Sequence, residues 1–397
     1  MLQSLRVERF KSLVKLELPL GRINVLIGAN GSGKSNILEA LGVLGAAAFG
    51  RVDDETLIRR GVRPGLPDLY KTAFPGSHRG PHILVEATSG SGASFRTTLW
   101  HPKRNPGQPW HFKTECLQRS AGDIVASRSP ASNPKLNPEA GIAALKTAEL
   151  PRGDRALLLM NELRNYGIHC PNTPALRGLG GKDDQPRSPV GLTGARLPEA
   201  LDEVMKGAPR DTSVAACLQE ARDMIDWARE ISAEPSADVP LSPSAARSRL
   251  VIQFTDRFMR ADRNRLSGHD ASEGALYVLY SAVLALHPEA PTCLAVDNLD
   301  QALNPRLATK LMASLCNWTK RRNGGRQWLV TVHNPAILDG LPLDQDDVRL
   351  FAVDRNNLGH TVARRIDLDS AKKLRPGPDW TLSRMWTGGY LGGVPNV

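Results

Sequence analysis

Gly28-Ala29-Asn30-Gly31-Ser32-Gly33-Lys34-Ser35 has the spacing G-x-x-x-x-G-K-[ST] of a phosphate-binding loop. The apolar run at 22–27 before it reads as a buried strand, and the run at 36–41 after it as a helix. The glycines let several N–H groups face one anion, and the helix start adds its partial positive charge. A glycine-rich turn that binds nothing is disfavoured, because residue types, spacing and flanks agree. Nucleotide contacts are expected from Asn30, Gly31, Ser32, Gly33, Lys34, Ser35 and Asn36. Lys34 is expected to reach the β- and γ-phosphates of ATP, and the Ser35 hydroxyl to hold Mg²⁺.

The rest of the chain bounds the possibilities. Its 397 residues are enough for one large domain or two. With 41% hydrophobic and 23% charged residues it reads as a soluble globular protein. No apolar run approaches the roughly 20 residues that span a bilayer, and the N-terminus lacks a signal-peptide pattern. Five scattered cysteines without C-x-x-C spacing indicate neither a zinc site nor a disulfide framework, so a reducing cytoplasm is expected. The nine histidines form no H-x-x-x-H pattern of a metal-dependent nuclease. A net charge of +10 permits a nucleic-acid surface without locating one, and 5% aromatic content does not suggest a base-stacking platform.

Outward from the loop, 5–10 and 13–18 read as strands around Lys11-Ser12, and 82–87 and 94–100 as a hairpin turning at Ser89-Gly90-Ser91-Gly92. An antiparallel sheet beside the nucleotide-binding sheet follows. From about 101 to 155 the chain is Pro/Ser-rich, with one short helix at 142–150. Helices are predicted at 155–163, 197–206 and 213–231, the last because Leu218, Ala221, Ile225 and Ala228 share a face. Residues 171–189 read as a basic loop. Strands at 250–254, 292–296, 328–332 and 348–354 then alternate with helices at 276–286 and 305–318, the pattern of a parallel sheet covered by helices.

A nucleotide site also needs an acidic group near the metal. Cys293-Leu294-Ala295-Val296-Asp297 is an apolar strand ending in a carboxylate, which places Asp297 as the second Mg²⁺ residue. With Phe10-Lys11-Ser12-Leu13, the loop through Asn36, Leu303-Asn304-Pro305 and Thr331-Val332-His333-Asn334-Pro335, the chain resembles the RecF/SMC/OLD-like branch of ABC-type ATPases. The likeness spans residues 1–45 and 265–355. It implies a Walker-B Asp297, a D-loop at 303–305 and a switch histidine at His333. It also implies a signature motif that meets ATP from a second protomer. Leu266-Ser267-Gly268-His269 matches the usual letters. Ser272-Glu273-Gly274 is preferred, because it directly precedes a long apolar helix, where a hydroxyl and free N–H groups meet phosphate.

Asn298 departs from the family pattern. The residue after the Walker-B Asp is usually Glu, the general base, and Asn accepts no proton at neutral pH. General-base catalysis is worth about 10²–10⁴ in rate, so slow hydrolysis is expected. Asp300 through a water, or His333 orienting one, are the alternatives for the catalytic role.

The expected fold is α/β. It is an ABC-type P-loop head with a parallel core sheet and an antiparallel N-terminal sheet, divided into 1–100, a mainly helical insertion at 101–245, and 246–397. The resemblance implies a homodimer or higher homo-oligomer around Mg-ATP, in anti-phage defence, with no fused nuclease and a separate nuclease or toxin as effector. The alternatives are a RecF-type repair ATPase that binds duplex DNA directly, and a non-hydrolysing scaffold. A transporter ATPase fits less well.

Overall fold

Strand β3 (Ile23–Ile27) is five consecutive buried residues, as expected for a strand covered on both faces. In the computed structural model it lies inside a six-stranded sheet of order β15-β14-β3-β13-β12-β8. The structure describes residues 1–397 except 76–79, 81, 103–104, 130, 132–134, 180–187, 244, 246–247, 322–324 and 395–397. Part of the predicted loop at 171–189, and part of the Pro/Ser-rich run near 130, therefore lie outside the described residues.

The strands are β1 (Leu2–Phe10), β2 (Leu13–Pro19), β3, β4 (Ile83–Ser89), β5 (Ser94–Trp100), β6 (His111–Ser120), β7 (Asp123–Arg128) and β8 (Ile168–His169). They continue with β9 (Ala228–Pro235), β10 (Leu250–Asp256), β11 (Arg265–Ser267), β12 (Cys293–Val296), β13 (Gln327–Thr331), β14 (Val348–Arg355) and β15 (Thr361–Ile366). The helices are α1 (Lys34–Phe49), α2 (Asp54–Ile58), α3 (Ile142–Lys146), α4 (Arg155–Asn165), α5 (Thr173–Leu176) and α6 (Leu197–Gly207). After them come α7 (Thr212–Asp223), α8 (Glu273–Leu286), α9 (Pro305–Arg321), α10 (Leu368–Leu374) and α11 (Leu382–Thr387).

Within the core sheet β3, β13, β12, β14 and β8 run parallel, and β15 closes the edge antiparallel to β14. Side chains alternate across a strand, so the sheet sorts its apolar residues into two cores. Val25, Leu294, Val296, Val330 and Leu350 join the core with α6, α7, α8 and α9. Leu26, Cys293, Ala295, Leu329 and Phe351 join the core with α1, α4 and the antiparallel sheet. Helix α8 is buried along 275–286 and forms the spine of the first core. The only polar residue of β3, Asn24, is fully buried and satisfied by Gly21 N, Gly21 O and the Trp328 carbonyl at 2.8, 2.8 and 3.0 Å.

The predicted antiparallel sheet is present, with order β2-β1-β4-β5-β6-β7. Two of its strands, β6 and β7, fall after residue 100, where the sequence reads as loop-rich. Their partners are non-local: β6 takes its register from β5, for example Phe95↔Leu117. The helix predicted at 213–231 ends at Asp223. Residues 228–235 form β9 instead, because antiparallel pairing with β10 (Ile252↔Ala233, Phe254↔Ile231) overrides their helical spacing. Ile225 and Ala228 stay buried in the turn and the strand start.

Candidate nucleotide-binding site

The phosphate loop joins β3 to α1. Gly31 and Gly33 adopt φ of 78° and 109°, which favours glycine. At Gly33 glycine is also required by space, since a Cβ there would lie 2.1 Å from Thr361 Oγ1. Among the described residues the buried Ser32 hydroxyl has no hydrogen-bond partner. Lys34 is 6% exposed, and its ammonium donates to the carbonyls of Gly28 (2.7 Å) and Ala29 (3.2 Å). Burial lowers its pKa, opposed by the carboxylates of Asp297 and Asp300.

Asp297 sits just past β12, and its N–H is held by the His169 carbonyl at 2.8 Å. The Ser35 hydroxyl donates to Asp297 Oδ2 at 2.9 Å, and Thr331 Oγ1 to Asp297 Oδ1 at 2.5 Å. The two groups predicted to share Mg²⁺ are thus in contact, although 262 positions separate them. A hydroxyl beside a carboxylate under a glycine cradle is the hard-oxygen donor set that Mg²⁺ takes, alongside substrate phosphates. Ser35 and Asp297 would hold the ion, which would neutralise charge on the β- and γ-phosphates.

Past Asp297 the chain turns sharply. Asn298 lies at φ 61°, a left-handed conformation that Asn tolerates better than most residues, with its N–H on Thr331 Oγ1 at 2.9 Å. Asp300 is 6% exposed, and its Oδ2 accepts the backbone N–H of His333 at 2.7 Å and that of Asn334. Asp300 therefore ties the turn after Asp297 to the segment after β13. His333 is held by its backbone, while its exposed imidazole lines a cleft with Gly28, Ala29 and Asn30. Partial desolvation and the Lys34 charge lower the imidazole pKa, opposed by the carboxylates of Asp300 and Asp297.

Ser272 is the N-cap of α8, yet its side chain makes no capping bond, so the hydroxyl is not spent on its own helix. Gly274 packs against the turn after Asp297, and a Cβ there would come within 3.3 Å of the Ala302 carbonyl. Ser272 and Gly274 face a cleft of about 510 Å³ that also touches Asn304, Arg306 and Lys310, whereas Glu273 starts the first turn of the helix. Ser267 has local work: it is 2% exposed and donates to Asp270 Oδ2 at 2.7 Å. One chain thus gathers the phosphate loop, Asp297, Asn298, Asp300 and His333. It leaves Ser272 in a different cleft from the one lined by Gly28 and His333.

The sequence reading passed over several residues that shape the site. Thr361 Oγ1, from β15, donates to the Ser32 carbonyl and shares a hydroxyl–hydroxyl bond with Ser12 Oγ, both at 2.7 Å. Arg355 donates to the Gly31 carbonyl at 2.9 Å, so the β14–β15 hairpin straps the loop. Behind α1, Glu39 is 2% exposed and accepts from Arg63 Nε at 2.6 Å and from Lys11. Burial pushes the Glu39 carboxyl up, but the hydrogen bonds and charges of Arg63 and Lys11 outweigh it and hold the carboxyl below its ordinary value. Arg63 also reaches Asn36 Oδ1 at 3.3 Å, and Asn36 donates to Ser12 at 2.7 Å. Of these, Asn36 was among the expected nucleotide contacts and Lys11-Ser12 belonged to the quoted N-terminal string, whereas Thr361, Arg355, Glu39 and Arg63 carried no signal in the sequence.

Residues 23–79 match the family described as "AAA domain, putative AbiEii toxin, Type IV TA system". No curated protein matches the sequence. Among solved structures the chain is similar to an Smc head bound to the C-terminal winged-helix domain of ScpA, with a TM-score of 0.54 and 14% identity, covering 93% of this chain and 99% of that one. It is also similar to an Smc head with an extended coiled coil from Pyrococcus furiosus, bound to the C-terminal domain of ScpA, with a TM-score of 0.50 and 11% identity over 94% of this chain and 98% of that one. Carrying the phosphate loop within the matched AAA region, the chain has the fold of an ABC-type, SMC-like ATPase head.

Proposed function

We propose that this protein is a slowly hydrolysing ATPase that dimerises around Mg-ATP and acts as a sensor or scaffold in anti-phage defence. The observation that carries the reading is the division of the site. The Ser35–Asp297 pair and the loop form one half, and the unspent Ser272 hydroxyl at the start of α8 the other, in separate clefts. A helix N-terminus stabilises an anion placed against it. Two heads facing each other let each α8 meet the phosphates held by the partner's loop, so ATP becomes part of the interface. Asn298 in place of a carboxylate makes the bound state long-lived. The turn containing Asp300 lies between the halves and links the state of His333 to the D-loop next to Gly274.

The matched family is described as a putative toxin of a type IV toxin–antitoxin system, and the two Smc heads carry ScpA domains. The toxin–antitoxin description supports a place in defence, and the Smc heads support a head that works with a separate protein, here proposed to be a nuclease or toxin effector. Among the described residues no helix is long and apolar enough to cross a membrane.

Light scattering with a slowly hydrolysed ATP analogue tests the reading. The wild-type protein is expected to double in mass on adding analogue and Mg²⁺. Ser272→Arg, which puts a bulky cation at the start of α8, is expected to stay monomeric while still binding the analogue. Lys34→Ala is expected to lose both binding and association, because the phosphates lose a point charge. A Ser272→Arg protein that dimerises like wild type would refute the shared site.

A further inference from the structure

The hairpin between β10 and β11 is strongly exposed and lies apart from the nucleotide site. Its connecting residues, Arg257-Phe258-Met259-Arg260-Ala261-Asp262-Arg263-Asn264, place two large apolar side chains at one end of the three-stranded sheet β11-β10-β9. Phe258 is 78% exposed and Met259 43%. Arg260 and Arg263 are 88% and 82% exposed.

The acidic groups of the tip are occupied inside it. Asp256 Oδ1 accepts the N–H groups of Phe258 and Met259 at 2.7 and 3.0 Å. A single carboxylate, Asp262, is shared by Arg260 at 3.5 Å and Arg263 at 3.9 Å. The tip therefore carries three arginines against two carboxylates, of which Asp256 is tied to the backbone and Asp262 lies exposed between Arg260 and Arg263. It is also preformed: Asp256 N bonds to Asn264 O at 2.8 Å, and Arg263 N to Arg260 O at 2.8 Å. Arg257 Nη2 donates to the Ala228 carbonyl at 3.3 Å, with its guanidinium 5.9 Å from the Phe258 ring centroid.

A hydrogen-bonded hairpin tip carrying Phe and Met flanked by arginines has the chemistry of a groove wedge. The apolar residues insert at a base step, and the guanidiniums meet phosphates or a narrow groove. We propose that the β10–β11 tip is a duplex-DNA contact, with Phe258 and Met259 as the wedge and Arg260 and Arg263 on the backbone. A wedge is favoured over a platform for single strands, which needs several aromatic faces in a row. This contact stands apart from the shared-ATP reading and needs no nucleotide. Its placement nevertheless joins the two. The Arg257 N–H bonds to the Trp227 carbonyl, and Trp227 packs on Phe254 at 5.1 Å and lines the cleft in front of Ser272.

The test is fluorescence anisotropy of a labelled duplex oligonucleotide with the full chain, over a salt series and without nucleotide. Wild type is expected to bind. Phe258→Ala is expected to weaken binding roughly tenfold with little change in salt dependence. The double variant Arg260→Ala/Arg263→Ala is expected to flatten the plot of log affinity against log salt by about 2, one step for each lost phosphate contact. All these side chains are solvent-facing, so the variants are expected to melt and bind ATP like wild type. Wild-type affinity in both variants would overturn the proposal. A labelled single strand bound more tightly than the duplex, with the same dependence on Phe258, would replace the wedge by base stacking. Equal binding of a polyglutamate peptide would reduce the tip to a general anion surface. Failure of any of these leaves the light-scattering result on Ser272→Arg untouched, so the two readings fail separately.

Discussion

Asp300 and Asn298 stand two residues apart and have different work. Asp300 is a positioning residue, because both backbone N–H groups that open the His333 segment end on one of its oxygens. Asp300→Ala strips the acceptor from both, at about 1–3 kcal/mol for each buried donor left unpaired. Its expected result is a clearly lower melting temperature together with slower phosphate release; an unchanged melting temperature would remove the bridging role. Asn298→Glu restores a carboxylate at the position next to Asp297. If Asn298 occupies the water-activating place, steady-state phosphate release rises, with a stability loss of about 1 kcal/mol for putting Glu at a left-handed φ of 61°. If release does not rise while Asp300→Ala abolishes it, the activating group reaches the water through the Asp300–His333 tie instead. Neither role is readable in the string Asp297-Asn298-Leu299-Asp300, because the backbone groups that choose between them come from beyond β13.

At the scale of elements, the short edge strand β8 decides how Asp297 is held. His169 is fully buried, with its ring against the Ala295 carbonyl (3.1 Å) and Ser188 Oγ (2.9 Å), and its carbonyl on the Asp297 N–H. Burial pushes its imidazole pKa down to about 4. An unfolded imidazole titrates near 6.5, so between those values the unfolded chain takes up a proton that the folded chain refuses. The contribution is complete above about pH 6.5 and falls by roughly 3 kcal/mol as pH drops towards 4. Melting temperatures measured across this window are expected to decline, and His169→Gln to make the decline shallower. Equal slopes for the two proteins would contradict the assignment. The β14–β15 hairpin acts on the loop in a parallel way. Thr361→Ala removes the bonds to Ser32 and Ser12, and is expected to weaken ATP binding several-fold in calorimetry while the chain stays folded.

For the whole molecule, the last described residues return to the phosphate loop. A Cβ at Gly393 would lie 3.0 Å from Gly28 Cα, its N–H bonds to Asp354 Oδ1 at 2.8 Å, and its carbonyl accepts from Trp386 Nε1 at 3.3 Å. Trp386 is 6% exposed and lines the same cleft as His333. Trp386→Ala is expected to destabilise the protein by about 3 kcal/mol or more and to lower ATP affinity by freeing this wall; a stable variant with normal affinity would show the segment to be a bystander. Taken alone, the sequence determined the local half of the protein. The phosphate loop, the start of α8, the strand before Asp297 and the β–α alternation are each written within one turn or one strand. There residue type, spacing and periodicity act on near neighbours. Tertiary structure alone decided which predicted residues meet and which elements pair. Ser35 reaches Asp297 across 262 positions, and Thr361 reaches Ser12 across 349. Residues 228–235 became a strand rather than the end of a helix, because β10 offered backbone partners. Such choices rest on contacts between segments that no local window contains, and the two cores on either side of β3 bring those segments within reach.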